Sequence, residues 1–209
     1  MKRLILRLLG LLLCLQSCKA QQKIMEDQEF IIPEIDNKFE KFDIQIFDEK
    51  RIGKKRKYRK EKIVIEEDIQ SYGYIRRMYY DSSFFKYNKM FYKNSFIKQK
   101  GLLFNNGSQY GIWYEFDQEG SLIEEIDTDK GYDFGWKEVI LYCEAHKILL
   151  TKGYVTSGFQ TTIYKEENDQ GTKIWVITYQ IAGDQLLELT LDGKTGEELS
   201  RKELEFINP

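Results

Sequence analysis

Gly101-Leu102-Leu103-Phe104-Asn105-Asn106-Gly107, followed by Gly111-Ile112-Trp113-Tyr114-Glu115-Phe116-Asp117-Gln118-Glu119-Gly120-Ser121-Leu122, decides the fold. Two short apolar and aromatic runs are divided by Asn-Gly and closed by Glu-Gly, the punctuation of adjacent antiparallel strands. Glycine admits a positive φ at such turns, and the aromatic side chains pack across neighbouring strands. Upstream, Ile63-Val64-Ile65, Tyr72 to Tyr80 and Phe84 to Phe91 repeat the pattern of β-branched and aromatic runs broken by polar residues. With 27 Tyr and Phe and very little Ala, the bulk of the chain leans towards strands.

Phe91-Tyr92-Lys93-Asn94-Ser95-Phe96-Ile97-Lys98 reads as a worn copy of the central stretch, with Ser95 where the turn glycine would stand. A period of 20–24 residues is what a stack of hairpins requires, because no single hairpin buries its own face. Gly101, Phe104, Asn106, Gly107, Gly111, Trp113, Phe116, Gly120 and Leu122 stand at matching positions of the bacterial variant of the MORN repeat, which residues 75–132 resemble. The resemblance implies a twisted antiparallel sheet used as a scaffold or binding surface, and no catalytic residues. Phe104, Trp113, Tyr114 and Phe116 are the candidate aromatics, as fold residues first and a partner-binding face second.

The last third changes character. Trp136, Ile140, Cys143 and Lys147, with Val139 and Leu150, follow helical spacing from 136 to 149, with Asp133 as the expected cap. Three strands follow: Phe159–Glu167, Thr172–Ala182 and Leu186–Asp192, the last with Leu187, Leu189 and Leu191 as a buried stripe. Asp192-Gly193-Lys194-Thr195-Gly196-Glu197 is a tight turn before a polar end. A helix followed by this meander, with Trp175-x-Ile177 and the Asp-Gly-Lys-Thr-Gly-Glu turn, resembles a PepSY-like domain over 134–204. That resemblance implies a small, extracytoplasmic, non-catalytic unit, of a family in which some members restrain peptidases or bind protein partners.

At the other end, Met1, Lys2, Arg3 and Arg7 precede an apolar run from Leu8 to Leu15. The run is shorter than the ~20 residues of a membrane-spanning helix and fits a secretory signal. Leu15-Gln16-Ser17-Cys18 resembles the lipobox of bacterial lipoproteins, with Gln16 larger than usual; the resemblance implies diacylglycerol attachment and acylation at Cys18 after cleavage before it. Cleavage after Ala20 is the rival. Removing 1–17 takes three basic residues, so 29 face 34 acidic ones and the formal charge is about −5. That balance argues against general nucleic-acid binding. Cys14 leaves with the signal and Cys18 carries lipid, so Cys143 has no intrachain disulfide partner.

Residues 18–32 are then the lipidated cysteine and its polar tether, 33–132 a β-rich region, and 133–209 the helix-and-strand unit. Pro33 is expected at the first turn of a short helix carrying Phe39 and Phe42 on one face, followed by a strand-like alternation at Ile44 and Ile46, or Phe47 by another count. The basic run Lys50, Arg51, Lys54, Lys55, Arg56, Lys57, Arg59, Lys60, Lys62 reads either as a solvated hairpin or as an attraction to anionic headgroups near the anchor. The fold class expected is α+β, mostly an antiparallel meander followed by a helix plus three strands.

Familiar chemistry finds little footing. One His excludes multi-His metal sites and the HExxH helix. Gly193-Lys194-Thr195 lacks the first P-loop glycine, since Glu188 occupies its place. Asp127, Asp129, Asp133 and Glu138 have partial calcium-loop spacing, but Tyr132 replaces the obligatory glycine. Cys143 reads as a core thiol and His146 as a surface residue. No metal, cofactor, nucleic acid or catalytic residue is expected. The expectation is a non-enzymatic lipoprotein of the bacterial cell envelope, facing periplasm or cell surface. It is held to the membrane through its lipid and binds a protein or glycan. The alternative is an inhibitor or immunity protein against a peptidase or toxin, and a hydrolase with a carboxylate pair is a third class.

Overall fold

A computed structural model describes residues 31–205. The expectations for the signal segment, Cys18, the tether up to residue 30, and residues 206–209 lie outside the described residues. Ile31–Glu205 belong to one compact unit built on two antiparallel sheets.

The first sheet is a seven-stranded meander. Its strands are β1 (Lys55–Lys60), β2 (Ile63–Gln70), β3 (Gly73–Tyr80), β4 (Phe85–Tyr92), β5 (Ile97–Phe104), β6 (Gln109–Phe116) and β7 (Leu122–Asp127), each paired with its neighbour in sequence. Register places Arg56, Glu67, Arg76, Lys89, Lys100, Tyr114 and Glu125 directly opposite one another in a single row across all seven strands. On one side of this row, Ile69, Tyr74, Phe91 and Ile97 form an apolar band, closed by Phe116, Phe42 and Phe47. On the other side, Phe85 and Phe104 form an aromatic band.

The segment before β1 differs from the expectation. Residues 31–40 form neither helix nor strand, so Pro33 opens no helix, and Ile44 and Ile46 belong to helix α1 (Ile44–Lys50) rather than a strand. The reason is a cap: Asp43 Oδ1 accepts from Ile46 N at 2.9 Å while Phe47 drops into the apolar band. Phe39 and Phe42 also part company, since Phe39 is 42% exposed and Phe42 is buried.

Helix α2 (Trp136–Ala145) ends four residues earlier than its spacing suggested, with Lys147 in a left-handed conformation just beyond it. Its cap is Gly135, not Asp133; Glu138 Oε2 reaches back to accept from Gly135 N at 3.0 Å. The second sheet has four strands rather than three: β8 (Thr162–Glu167), β9 (Lys173–Ala182), β10 (Gln185–Asp192) and β11 (Glu198–Glu205). Leu187, Leu189 and Leu191 are buried as one stripe, whereas Ile181, at a register shift near the end of β9, is exposed.

Trp136 joins the sheets. Its ring lies 5.3 Å from Phe104, 5.5 Å from Phe85 and 4.7 Å from Trp175. Aromatic pairs of this geometry contribute about 0.5–1.5 kcal/mol each beyond the area they bury. Beside it, the β5–β6 turn docks on β8: Ser108 N donates to Ile163 O at 3.0 Å and Ile163 N to Asn106 O at 3.3 Å.

Two glycines of the central stretch are therefore needed for a different reason than a positive φ. A Cβ on Gly107 would lie 1.9 Å from Ile163 O, and one on Gly101 would lie 2.2 Å from the nearest Trp113 ring atoms. Ser95, in the worn copy, does adopt the left-handed conformation at φ 75°.

Candidate interaction surfaces

The polar row across the first sheet sets an electrostatic problem. Arg76, Lys89 and Lys100 stand directly opposite one another on β3, β4 and β5, and like charges so placed repel. Glu67, itself buried, answers Arg76 at 2.7 Å and Arg56 at 3.1 Å. The other two cations are answered by residues 31–43, which cross the sheet face as a strap. Lys100 Nζ, with a fully buried side chain, donates to Asp36 Oδ1 at 3.1 Å, Lys38 O at 2.6 Å and Glu40 Oε1 at 2.7 Å. Lys89 Nζ reaches both Glu40 oxygens at 2.8 and 2.7 Å. Ser83 Oγ donating to Ile31 O, and Phe42 N to Ser95 O, fasten the strap's two ends.

Between strap and sheet lies a cleft of about 340 Å³ lined by Glu34, Ile35, Asp36, Glu40, Tyr87 and Lys89. Burial would raise the Glu40 carboxyl, but hydrogen bonds from Lys100 and Lys89 outweigh it and hold the group below its ordinary value. The hydrogen bond from Lys100 holds Asp36 low as well, with the Lys38 amide second. Burial, followed by the field of Tyr80, pushes the Tyr87 phenol up. Both carboxylates are thus kept ionised, the reverse of the raised carboxyl that a general acid requires. The cleft is built for ion pairing.

Phe104, Trp113 and Phe116 are buried and Tyr114 is half-buried. They do not form one face: Tyr114 and Phe116 line the strap side, while the Trp113 ring covers Gly101 and its Nε1 donates to Leu102 O at 3.0 Å. Cys143 is fully buried under α2, and burial pushes its thiol up to about 12. His146 caps the exposed end of that helix, its Nδ1 2.8 Å from Tyr142 O.

The acidic residues of the partial calcium loop point to separate tasks. Asp129 pairs with Lys165 at 2.7 Å, Asp127 accepts from Asp129 N, and Glu138 caps α2. Among the described residues no group of three His, Cys, Asp or Glu side chains is placed to hold a metal ion.

Two other surfaces stand open. The basic run forms α1's last residue, a turn closed by an Ile52–Lys55 bridge, and the edge strand β1, whose one neighbouring strand is β2. At the end of the second sheet, Leu149, Phe159, Tyr179 and Ile181 line a groove of about 350 Å³ together with Lys147 and Gln180. No helix among the described residues is long and apolar enough to cross a membrane.

No family model, curated protein or solved structure matches the chain.

The strap is the element that sequence reading missed. Its one legible signal is Lys100, a cation set in the β-rich run before Gly101, with Asp36 and Glu40 far upstream to answer it.

Proposed function

We propose that this chain is a non-enzymatic envelope lipoprotein, acylated at Cys18, which presents a rigid β platform to a protein or glycan partner. The observation that carries the reading is the strap. A chain entering from the N-terminal side is locked to the sheet from Ile31 onward through Ser83, Lys89 and the buried Lys100. The strap thus makes residues 31–43 part of the platform itself. The first sheet is the MORN-like scaffold of this reading and the second the PepSY-like unit. The carboxylates held low in the cleft favour a binding role over acid–base catalysis.

A second reading, an inhibitor of an extracytoplasmic peptidase or toxin, is favoured by Leu149. This side chain, 82% exposed, lies with Ile181, Phe159 and Tyr179 about the groove of the second sheet, an open apolar patch of the kind that marks an interaction surface.

The test is a crosslinked pull-down from membranes, repeated with purified components. A stoichiometric envelope protein or glycan that binds the purified chain unchanged supports the platform. A peptidase or toxin inactivated by the chain supports the inhibitor, and chemical turnover of the bound partner contradicts both.

A further inference from the structure

The basic run divides its labour by residue type. Each arginine is paired within the fold: Arg51 with Asp48, Arg56 with Glu67, Arg59 with Asp81, at 2.8, 3.1 and 2.7 Å. The lysines are not. Lys50, Lys54, Lys55, Lys60 and Lys62 are all exposed and make no ion pair among the described residues, while Lys57 lies over the Tyr154 ring at 3.7 Å. Residues 48–62 hold nine basic side chains against Asp48, Glu49 and Glu61.

Amid these cations stands Ile52, 88% exposed at the turn into β1. Nothing in the fold's own packing explains an isoleucine there. An apolar side chain within a collar of lysines is the chemistry of a bilayer interface, where the apolar group enters the headgroup region and ammonium groups meet lipid phosphate.

Position agrees with chemistry. The chain enters the structure at Ile31, bonded to Ser83; Ser83 N bonds Tyr80 O, and Asp81 meets both Lys62 O and Arg59. The entry point thus lies beside the β1–β2 turn, and the lysines run from there along a strand of ~20 Å to Ile52 at its far end. Twelve residues lie between Cys18 and Ile31, a reach of at most ~45 Å. That is ample for the edge to lie flat on the surface to which the lipid is attached. The far edge, β7, carries Glu124, Glu125 and Asp127 and so disfavours the opposite orientation.

We infer that the edge formed by Ile52 and the lysines of β1 docks on an anionic phospholipid surface. This fixes which side of the sheet faces the membrane. The inference takes its setting from the lipoprotein reading but not its force, because an unlipidated chain should still bind.

The experiment uses the chain from residue 18 onward with Cys18→Ser, which carries neither lipid nor the apolar run of residues 8–15, in co-sedimentation with vesicles. One set is pure phosphatidylcholine and the other contains phosphatidylglycerol as well. A lysine near an anionic surface contributes about 1 kcal/mol, about fivefold in partitioning. Lys54→Gln/Lys55→Gln/Lys60→Gln should therefore weaken binding to the anionic vesicles roughly a hundredfold at low salt, and Ile52→Ser about tenfold with the salt dependence unchanged. Lys130→Gln/Lys137→Gln/Lys202→Gln makes the same change in net charge elsewhere and should retain binding.

Equal loss in the two triple variants would overturn the inference, as would equal binding to both vesicle types or capture by an acidic protein in place of vesicles. Unfolding midpoints equal to that of the parent confirm that the variants fold. Loss of acyl labelling at Cys18 would refute the lipoprotein reading and leave this result untouched.

Discussion

Replacing Lys100 by Met separates the strap from the sheet while keeping the side chain's length. Lys100 is fully buried and donates three hydrogen bonds to the strap; the replacement removes all three. Breaking a buried ion pair by deleting one partner costs about 3–5 kcal/mol. Two features lower that figure here. Glu40 keeps Lys89 at 2.7 Å, and its side chain is 27% exposed, so water replaces part of what is lost. Asp36 is exposed, so solvent screens its share of the pairing.

The expected destabilisation is about 2 kcal/mol, which lowers the urea midpoint by about 1 M at an unchanged slope. Hydrogen exchange supplies the local readout. The amides of Phe42 and Ile97, bonded to Ser95 O and Glu40 O, should exchange faster than those at the centre of β9. Combining the change with Glu40→Gln should cost less than the sum of the two, by about 1 kcal/mol, because the groups share one network. A loss below about 0.5 kcal/mol with unchanged exchange at Phe42 and Ile97 would refute the strap as a structural clamp.

Three further expectations follow from the same geometry. Asp36 and Glu40 are held below their ordinary values of 3.8 and 4.5, so their contribution is complete above the ordinary values and disappears as pH falls through the lowered ones. Exchange at Phe42 and Ile97, corrected for intrinsic rate, should accelerate below about pH 4 in the wild type and much less so in Lys100→Met. Cys143, fully buried with its thiol raised to about 12, should resist alkylation in the native protein and react only on unfolding, as read by peptide mass mapping. Gly107→Ala places a methyl 1.9 Å from Ile163 O; it should lower the thermal midpoint and expose Trp136 to quenchers, while Gly53→Ala, strained by its positive φ but meeting no neighbour, should leave the quenching unchanged.

Much of the first sheet was legible because its strands carry both signals at once, aromatic or β-branched content and short polar turns. Strand β11 carried neither. Glu198-Leu199-Ser200-Arg201-Lys202-Glu203-Leu204-Glu205 is exposed throughout, so no buried face imposes a period of two on it, and it is a strand only because β10 offers a free edge.

Around α1 the failure was of another kind. Ile44 and Ile46 alternate by chance, and the Asp43 cap with the Phe47 anchor outweighs the alternation. The glycine pattern pointed to the right turns, yet Gly101 and Gly107 answer to Trp113 and Ile163, contacts that spacing does not display. The strap was invisible for a related reason. Lys100 meets partners 60 to 64 residues away, and only the register of β3, β4 and β5 makes three cations neighbours in need of them.

The central claim is that the platform is held to a membrane by lipid on Cys18. Metabolic labelling with palmitate, compared between wild type and Cys18→Ala and read alongside membrane fractionation, tests it most directly. Label should appear on the wild type alone, with the variant released from the membrane pellet at high salt, where edge lysines no longer hold it. Equal labelling of both proteins, or an unlabelled wild type that stays in the pellet, would contradict it.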